Sequence, residues 1–214
     1  MTVVAVVVAA GQGVRFGGMK QFAQLGEGTV TAQSIRHARS VAPMVVLVAP
    51  AEYDGNGEGA DVVVTGGATR SASVRAGLTA CGTADIVVVH DAARPLASVD
   101  LFAAVVAAVR AGADAAVPGL AITDTVKRIL VEGSTTVIRF TESRDELVTV
   151  QTPQAFRRDV LVRAHASAPD ATDDAALVEA LGARVVVVPG ERANIKITQP
   201  DDLERATELQ GNGK

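Results

Sequence analysis

Two cations, Arg15 and Lys20, raise the first chemical question. They lie in Ala9-Ala10-Gly11-Gln12-Gly13-Val14-Arg15-Phe16-Gly17-Gly18-Met19-Lys20, a glycine-rich stretch without an acidic residue. Bare backbone amides beside positive side chains suit a polyphosphate. Ala9, Ala10, Gly11 and Gly13 carry little or no side chain, so a ligand can lie against the backbone there. The dinucleotide fingerprint fails because position 16 is Phe, and the P-loop fails because Met19 precedes Lys20 and Gln21 follows it. The competing structural reading is a tight strand-to-helix turn with solvated Arg15 and Lys20.

A second glycine junction, Gly66-Gly67-Ala68-Thr69-Arg70-Ser71-Ala72-Ser73-Val74, reads as a strand end followed by a helix capped by Ser or Thr. A third motif is His90-Asp91-Ala92-Ala93-Arg94-Pro95. Asp91 at a strand end is a candidate Mg²⁺ ligand, directly or through water, because Mg²⁺ is usually held by few carboxylates plus phosphates. An ion pair between Asp91 and Arg94 is the structural alternative. By themselves Thr125 and Arg144 read as solvated polar positions. No Ser-His-Asp or Cys-His set stands out, so acyl-transfer chemistry has no support.

The elements that must position these groups follow from periodicity. Residues 3–8 are β-branched or small and unbroken, the pattern of a strand buried on both faces of a parallel sheet. In open α/β sheets ligands sit just beyond the carboxyl ends of such strands. Further strands are expected at 44–49, 61–65, 85–89, 113–117 and 184–188. Helices are expected at 31–40, 69–80, about 98–110, 159–166, 173–181 and 201–209, with Pro200 at the entrance of the last. Residues 51–60 read as a surface loop. The alternation argues for an α/β fold with a doubly wound, mostly parallel sheet. Residues 122–147 break the rhythm: apolar and polar residues alternate on both sides of Glu132-Gly133-Ser134, which is a hairpin pattern. One domain over 1–214 with an inserted arm at 122–147 is expected.

Composition excludes several classes. A net charge of −4 disfavours a dedicated nucleic-acid binder, and with no Trp and one Tyr the chain lacks a stacking platform for bases. Cys81 is the only cysteine, so it forms no internal disulfide and reads as a small core filler. Nothing resembles a signal peptide, and no apolar run approaches the ~20 residues that span a bilayer. A cytoplasmic location without a membrane partner is the expectation.

Taken in order, these motifs resemble the cytidylyltransferases that activate 2-C-methyl-D-erythritol 4-phosphate in isoprenoid synthesis. The family's A-A-G-x-G-x-R is matched by Ala9 to Arg15, and its P-K-Q by Lys20-Gln21 with Met19 in place of proline, after a shortened spacer. Its G-G-x-x-R-x-x-S is matched by Gly66 to Ser73, with Ala68 where an acid is common, and the His90 hexapeptide is kept whole. T-x-x-R appears as Thr141 to Arg144, a further threonine as Thr152, and N-I-K-x-T as Asn194 to Thr198 after Ala193, where Asp is common. The likeness runs over residues 3–203.

The resemblance implies a Rossmann-like nucleotidyltransferase and a homodimer whose arm crosses to the partner subunit. It implies that Gly67 and Ser73 face the cytosine and that Asp91 faces nucleotide and acceptor. It brings Thr125 and Arg144 to the acceptor phosphate across the dimer, adds Thr152 to the acceptor site, and sends Lys196 to the reacting phosphates. The reaction implied is attack by the acceptor's phosphate oxygen on the α-phosphorus of CTP. Arg15 and Lys20 stabilise the pentacovalent phosphorus, Lys196 and Arg144 orient the nucleophile, and Mg²⁺ or another divalent cation offsets charge. A ribitol 5-phosphate cytidylyltransferase shares nearly every motif. A nucleotide-binding regulator without turnover is the alternative of another class; retention of Arg15, Lys20 and Lys196 weighs against it. An NAD-dependent oxidoreductase is weaker still, given the failed fingerprint.

Overall fold

The computed structural model describes residues 1–11, 13, 16–53, 57–166 and 170–211. It opens with β1 (Val3–Val8). A 3-10 turn (Lys20–Phe22) and a short hairpin, β2 (Gln24–Leu25) and β3 (Gly28–Thr29), lead into α1 (Val30–Ala38). There follow β4 (Met44–Ala49), β5 (Val62–Thr65), α2 (Arg70–Thr79), β6 (Ile86–Asp91), α3 (Val99–Arg110) and β7 (Ala115–Ala121). The arm is β8 (Lys127–Glu132) and β9 (Thr135–Thr141), and a second 3-10 turn (Arg144–Glu146) leads out of it. The chain ends with β10 (Val148–Val150), β11 (Gln154–Arg157), α4 (Arg158–Ala166), α5 (Asp174–Glu179), β12 (Val185–Pro189) and α6 (Pro200–Gly211).

The main sheet has eight strands. β5, β4, β1 and β6 lie side by side and parallel. β11 runs antiparallel between β6 and β7. β7 also pairs with β12 in parallel and with β10 in the antiparallel sense. The antiparallel β10 and β11 are absent from the sequence expectation. They are three and four residues long, too short to show a period. The rest is the doubly wound arrangement expected.

Burial explains the continuous apolar strands. Val3, Ala5 and Val7 of β1 pack on one face with α1 and α3, whereas Val4 and Val6 pack on the other with α2, α4 and α5. With both faces covered, neither set of alternate residues can be polar. Ser98 caps α3, accepting a hydrogen bond from the Leu101 amide. Cys81 is buried as expected; burial pushes its thiol up to about 11, outweighing the nearby Arg158. No helix among the described residues is long and apolar enough to cross a membrane.

Two regions depart from this simple layering. The loop expected on the surface at 51–60 sends Glu58 inward to 4 % exposure, because the Tyr53 and Thr29 hydroxyls both donate to its carboxylate. The arm stands off the main sheet and pairs with itself, leaving Ile129, Val131 and Ile138 at least half exposed. A two-stranded ribbon has no interior of its own in which to bury them.

Candidate active site

The chain leaves β1 for β4 and β5 on one side and returns to β6 on the other. That reversal opens a crevice beyond the carboxyl ends of β1 and β6, where ligands of such sheets bind. A cleft of about 510 Å³ lies there, lined by Ala9, Ala10, Gly11, Gly13, Lys20, Gly67, Ser73, Asp91 and Lys196, among others. Nine of the residues singled out in the sequence therefore share one cavity.

The floor is backbone. Gln21 is buried, and its side-chain amide donates to the carbonyls of Ala9 (2.7 Å) and Gly11 (2.9 Å). The amides of Ala10 and Gly11 have no partner among the described residues. Gly13 has φ +62°, and a Cβ there would fall 1.9 Å from the Gly18 carbonyl oxygen, so only glycine closes this turn. Gly66 is equally constrained, since a Cβ would meet that of Ala10 at 2.2 Å. The small residues of the two loops thus let them touch. Arg15 lies outside the described residues.

One wall is the start of α2. Thr69 caps it, accepting from the Ala72 amide at 3.1 Å. Ser73 accepts from the Gly67 amide (3.2 Å) and donates to the Thr69 carbonyl (2.9 Å), which fixes its hydroxyl at the cleft wall. No acid of α2 itself occupies its first turn, although Asp170 accepts from the Thr69 hydroxyl at the cap (2.6 Å).

Asp91 and its partners form the electrostatic centre. Its carboxylate accepts from Lys196 Nζ at 2.7 Å and from Arg70 Nε at 3.1 Å. Burial alone would raise its pKa; Arg70 and Lys196 outweigh burial and hold it well below the usual carboxylate range. Arg70 continues inward to the buried Asp174 (2.7 Å), which accepts in turn from His165 Nε2 (2.9 Å). Although burial opposes it, Asp91 and Asp174 together raise the pKa of Arg70, so the guanidinium stays charged.

His90 is no base. It is fully buried, and burial pushes its pKa down to about 3 despite the adjoining Asp91. Nε2 faces the Arg94 carbonyl at 3.1 Å and must carry the proton, so Nδ1 accepts from the Thr152 hydroxyl at 3.2 Å. That hydroxyl also accepts the Asp91 amide at 3.0 Å. Thr152 is thereby committed beneath Asp91 and is not among the residues lining the cleft. Arg94 donates to the Asn194 carbonyl at 2.7 Å, which braces the segment carrying Lys196; its ion pair with Asp91 is not formed. Thr125 and Arg144 are exposed, and Arg144 donates to the Thr123 carbonyl. Both remain with the arm, outside the cleft of their own chain.

Sequence reasoning missed Arg70, Gln21 and Asp174 as site residues. For Arg70 a signal existed: an arginine opening a helix opposes the helix dipole and implies a carboxylate partner nearby. The glycine-rich stretch has no acid of its own, but Lys20 gains one from the far end of the chain. Asp202 of α6 lies close enough that Lys20 helps lower its pKa, after hydrogen bonds from the Gln199 and Thr198 amides.

For a divalent cation the described residues lining the cleft offer one carboxylate, Asp91. No group of three or more His, Cys, Asp or Glu among the described residues could hold a metal. A lone carboxylate fits Mg²⁺ that takes most of its ligands from phosphates and water, and does not fit a protein-caged ion.

A glycine-lined crevice at a sheet reversal, with two lysines and a helix N-terminus facing it, defines an α/β nucleotidyltransferase. Comparison with known proteins narrows this. The pattern of the 2-C-methyl-D-erythritol 4-phosphate cytidylyltransferase family matches residues 3–210, and the chain belongs to that family of CTP-dependent enzymes. It is 46% identical to the Streptomyces avermitilis enzyme of that name, covering 93% of this chain and 88% of the relative. It is 47% identical to a bifunctional IspD/IspF enzyme of Clavibacter michiganensis, over 95% of this chain but about half (53%) of the longer relative. The crystal structure of the Thermus thermophilus 2-C-methyl-D-erythritol 4-phosphate cytidylyltransferase superposes with a TM-score of 0.81 at 38% identity, covering 96% of this chain and 98% of that one.

Proposed function

We propose that this chain transfers CMP from CTP to 2-C-methyl-D-erythritol 4-phosphate, releasing pyrophosphate, in non-mevalonate isoprenoid precursor synthesis. The observation that carries the proposal is the meeting of Lys20 and Lys196 beside Asp91 in one cleft, in a chain matched by the family over residues 3–210. A bond forms between an oxygen of the acceptor phosphate and the α-phosphorus. The bond from that phosphorus to the β-phosphate oxygen breaks, and pyrophosphate leaves with the electron pair. The acceptor phosphate has a second pKa of about 6, so it arrives largely ionised and needs no base. That agrees with a His90 that is buried and neutral.

The obstacle is repulsion between two anions, and cations and backbone dipoles offset it. Ala9, Ala10, Gly11 and Gly13 give the triphosphate a surface of backbone. Lys20, with Arg15, stabilises charge on the α-phosphorus and the leaving group. Gly67 and Ser73 face the cytosine. Lys196 orients the acceptor phosphate, and its pairing with Asp91 holds the ammonium in place until substrate arrives. Asp91 would also hold a divalent cation, which supplies charge neutralisation along the triphosphate when bound. Thr152 positions Asp91 from below.

Arg144 and Thr125 complete the acceptor site of a partner subunit in this reading. The chain is one domain over 1–214, and its arm at 122–147 supplies the dimer contact. The exposed Ile129, Val131 and Ile138 support that reading, since a two-fold partner would cover them reciprocally. CTP and a polyol phosphate are the small-molecule partners, and a cytoplasmic location belongs to the same proposal. The test is pyrophosphate release from CTP with 2-C-methyl-D-erythritol 4-phosphate or ribitol 5-phosphate as acceptor. Faster turnover with the methylerythritol phosphate is expected. Release with ribitol 5-phosphate alone would reassign the acceptor, and release with neither would remove the enzymatic reading.

A further inference from the structure

Lys20 opens a turn of three residues, Lys20–Phe22. The other two residues of that turn are tied to their surroundings. Gln21 is anchored to the end of β1 through the Ala9 and Gly11 carbonyls, and its own carbonyl accepts from the Thr31 hydroxyl at 2.7 Å. Phe22 lies flat on Tyr53, with ring centroids 3.7 Å apart and planes 19° from parallel. The Tyr53 hydroxyl donates to the buried Glu58 at 2.6 Å. Glu58 also accepts from the hydroxyl of Thr29, which caps α1. Tyr53 and Glu58, from the stretch whose composition marks a surface loop, are thus fastened to the Lys20 turn on one side and to a helix start on the other.

We propose that Tyr53 and Glu58 are positioning residues for Lys20: the tyrosine ring clamps the Lys20–Phe22 turn, and Glu58 fixes the tyrosine. This rests on the reading of Lys20 as the cation at the reacting phosphorus. Neither Tyr53 nor Glu58 lines the cleft, so they act through the turn and not on substrate. A buried carboxylate shared by two hydroxyls is costly to hold unless its geometry is fixed. A flat ring stack then transmits that fixed geometry to the turn.

The test compares Tyr53→Ala, Tyr53→Phe, Phe22→Leu and Lys20→Ala, with kcat expressed per CTP-binding site so that unfolded protein does not count. Tyr53→Ala is expected to lower kcat about tenfold or more, since a misplacement near 1 Å can cost ~10², with the KM for CTP moving less than about threefold. Tyr53→Phe keeps the stack but cuts it loose from Glu58, so its kcat should fall between those of the wild type and Tyr53→Ala, and a wild-type value would remove Glu58 from the proposal. Phe22→Leu removes the stack from the other side and should reproduce the loss, which keeps the idea testable if Tyr53→Ala does not fold. A Tyr53→Ala or Phe22→Leu enzyme with wild-type kcat per site, beside an inactive Lys20→Ala, would overturn the clamp while leaving the functional reading intact. An active Lys20→Ala enzyme would overturn the clamp together with the role given to Lys20, while its turnover would leave the assigned reaction standing.

Discussion

Replacing Asp91 by asparagine removes the charge that two cations share while keeping the side chain's shape. The side chain of Asp91 is only 12 % exposed, and its two partners differ in what they lose. Lys196 is 43 % exposed, so its pair with Asp91 is screened and counts for under about 1 kcal/mol. Arg70 is more deeply placed but keeps Asp174, so it is not orphaned. The cost should therefore fall below the ~3–5 kcal/mol of a buried charge left alone, at about 2 kcal/mol. For a chain of this size that lowers Tm by about 4–8 °C. The effect has a pH signature. Asp91 has a folded pKa below its unfolded value, so its contribution is fully present above the unfolded value of about 3.9 and is lost as pH falls through the folded one. Thermal melts of both proteins from pH 7 downward should show a gap that is constant to about pH 4.5 and narrows below. Turnover at pH 7 should fall by about 10² or more, because Lys196 loses its tether and the cleft its one carboxylate. Equal Tm values at pH 7, or a gap that does not narrow in acid, would refute the electrostatic account of this site.

Ser73→Ala should weaken CTP binding more than acceptor binding and relax discrimination against UTP. Competition between CTP and UTP measures this, and an unchanged preference would reduce Ser73 to a cap of α2. Lys20→Ala and Arg144→Ala homodimers should both be nearly inactive, yet mixing them with subunit exchange should restore roughly a quarter of wild-type activity. About half the dimers are then mixed, and each has one site carrying both changes and one carrying neither. Exchange verified by tagged co-purification without recovery would mean that Arg144 does not act in trans.

Much of the fold was legible because the parallel strands show unbroken apolar runs, as in residues 3–8, and the central ones, β1, β4 and β6, are buried on both faces. The motifs at Gly11, Gly67 and Asp91 were legible because each stands where such a strand ends, and strand ends face the crevice. What stayed hidden depends on contacts between residues far apart in the chain. Arg70 meets Asp174 from 104 positions away. Thr152 serves Asp91 and His90 rather than lining the cleft, and no local pattern distinguishes a hydroxyl facing substrate from one facing a buried imidazole. The loop at 51–60 misled for a related reason: its Gly, Asp and Glu content marks turns and solvent, yet Glu58 is drawn inward by two hydroxyls that the sequence does not place beside it.

In the proposed reaction, cations held in this cleft drive transfer at phosphorus. Phosphorus NMR of CTP with 2-C-methyl-D-erythritol 4-phosphate tests it most directly, following the cytidine diphosphate product and pyrophosphate together in wild-type and Lys20→Ala proteins. Equimolar product and pyrophosphate are expected for the wild type. For Lys20→Ala, CTP affinity should change only modestly and turnover should fall by about 10²–10³. Near-normal turnover by a folded Lys20→Ala enzyme at saturating substrates would contradict this role for the cations.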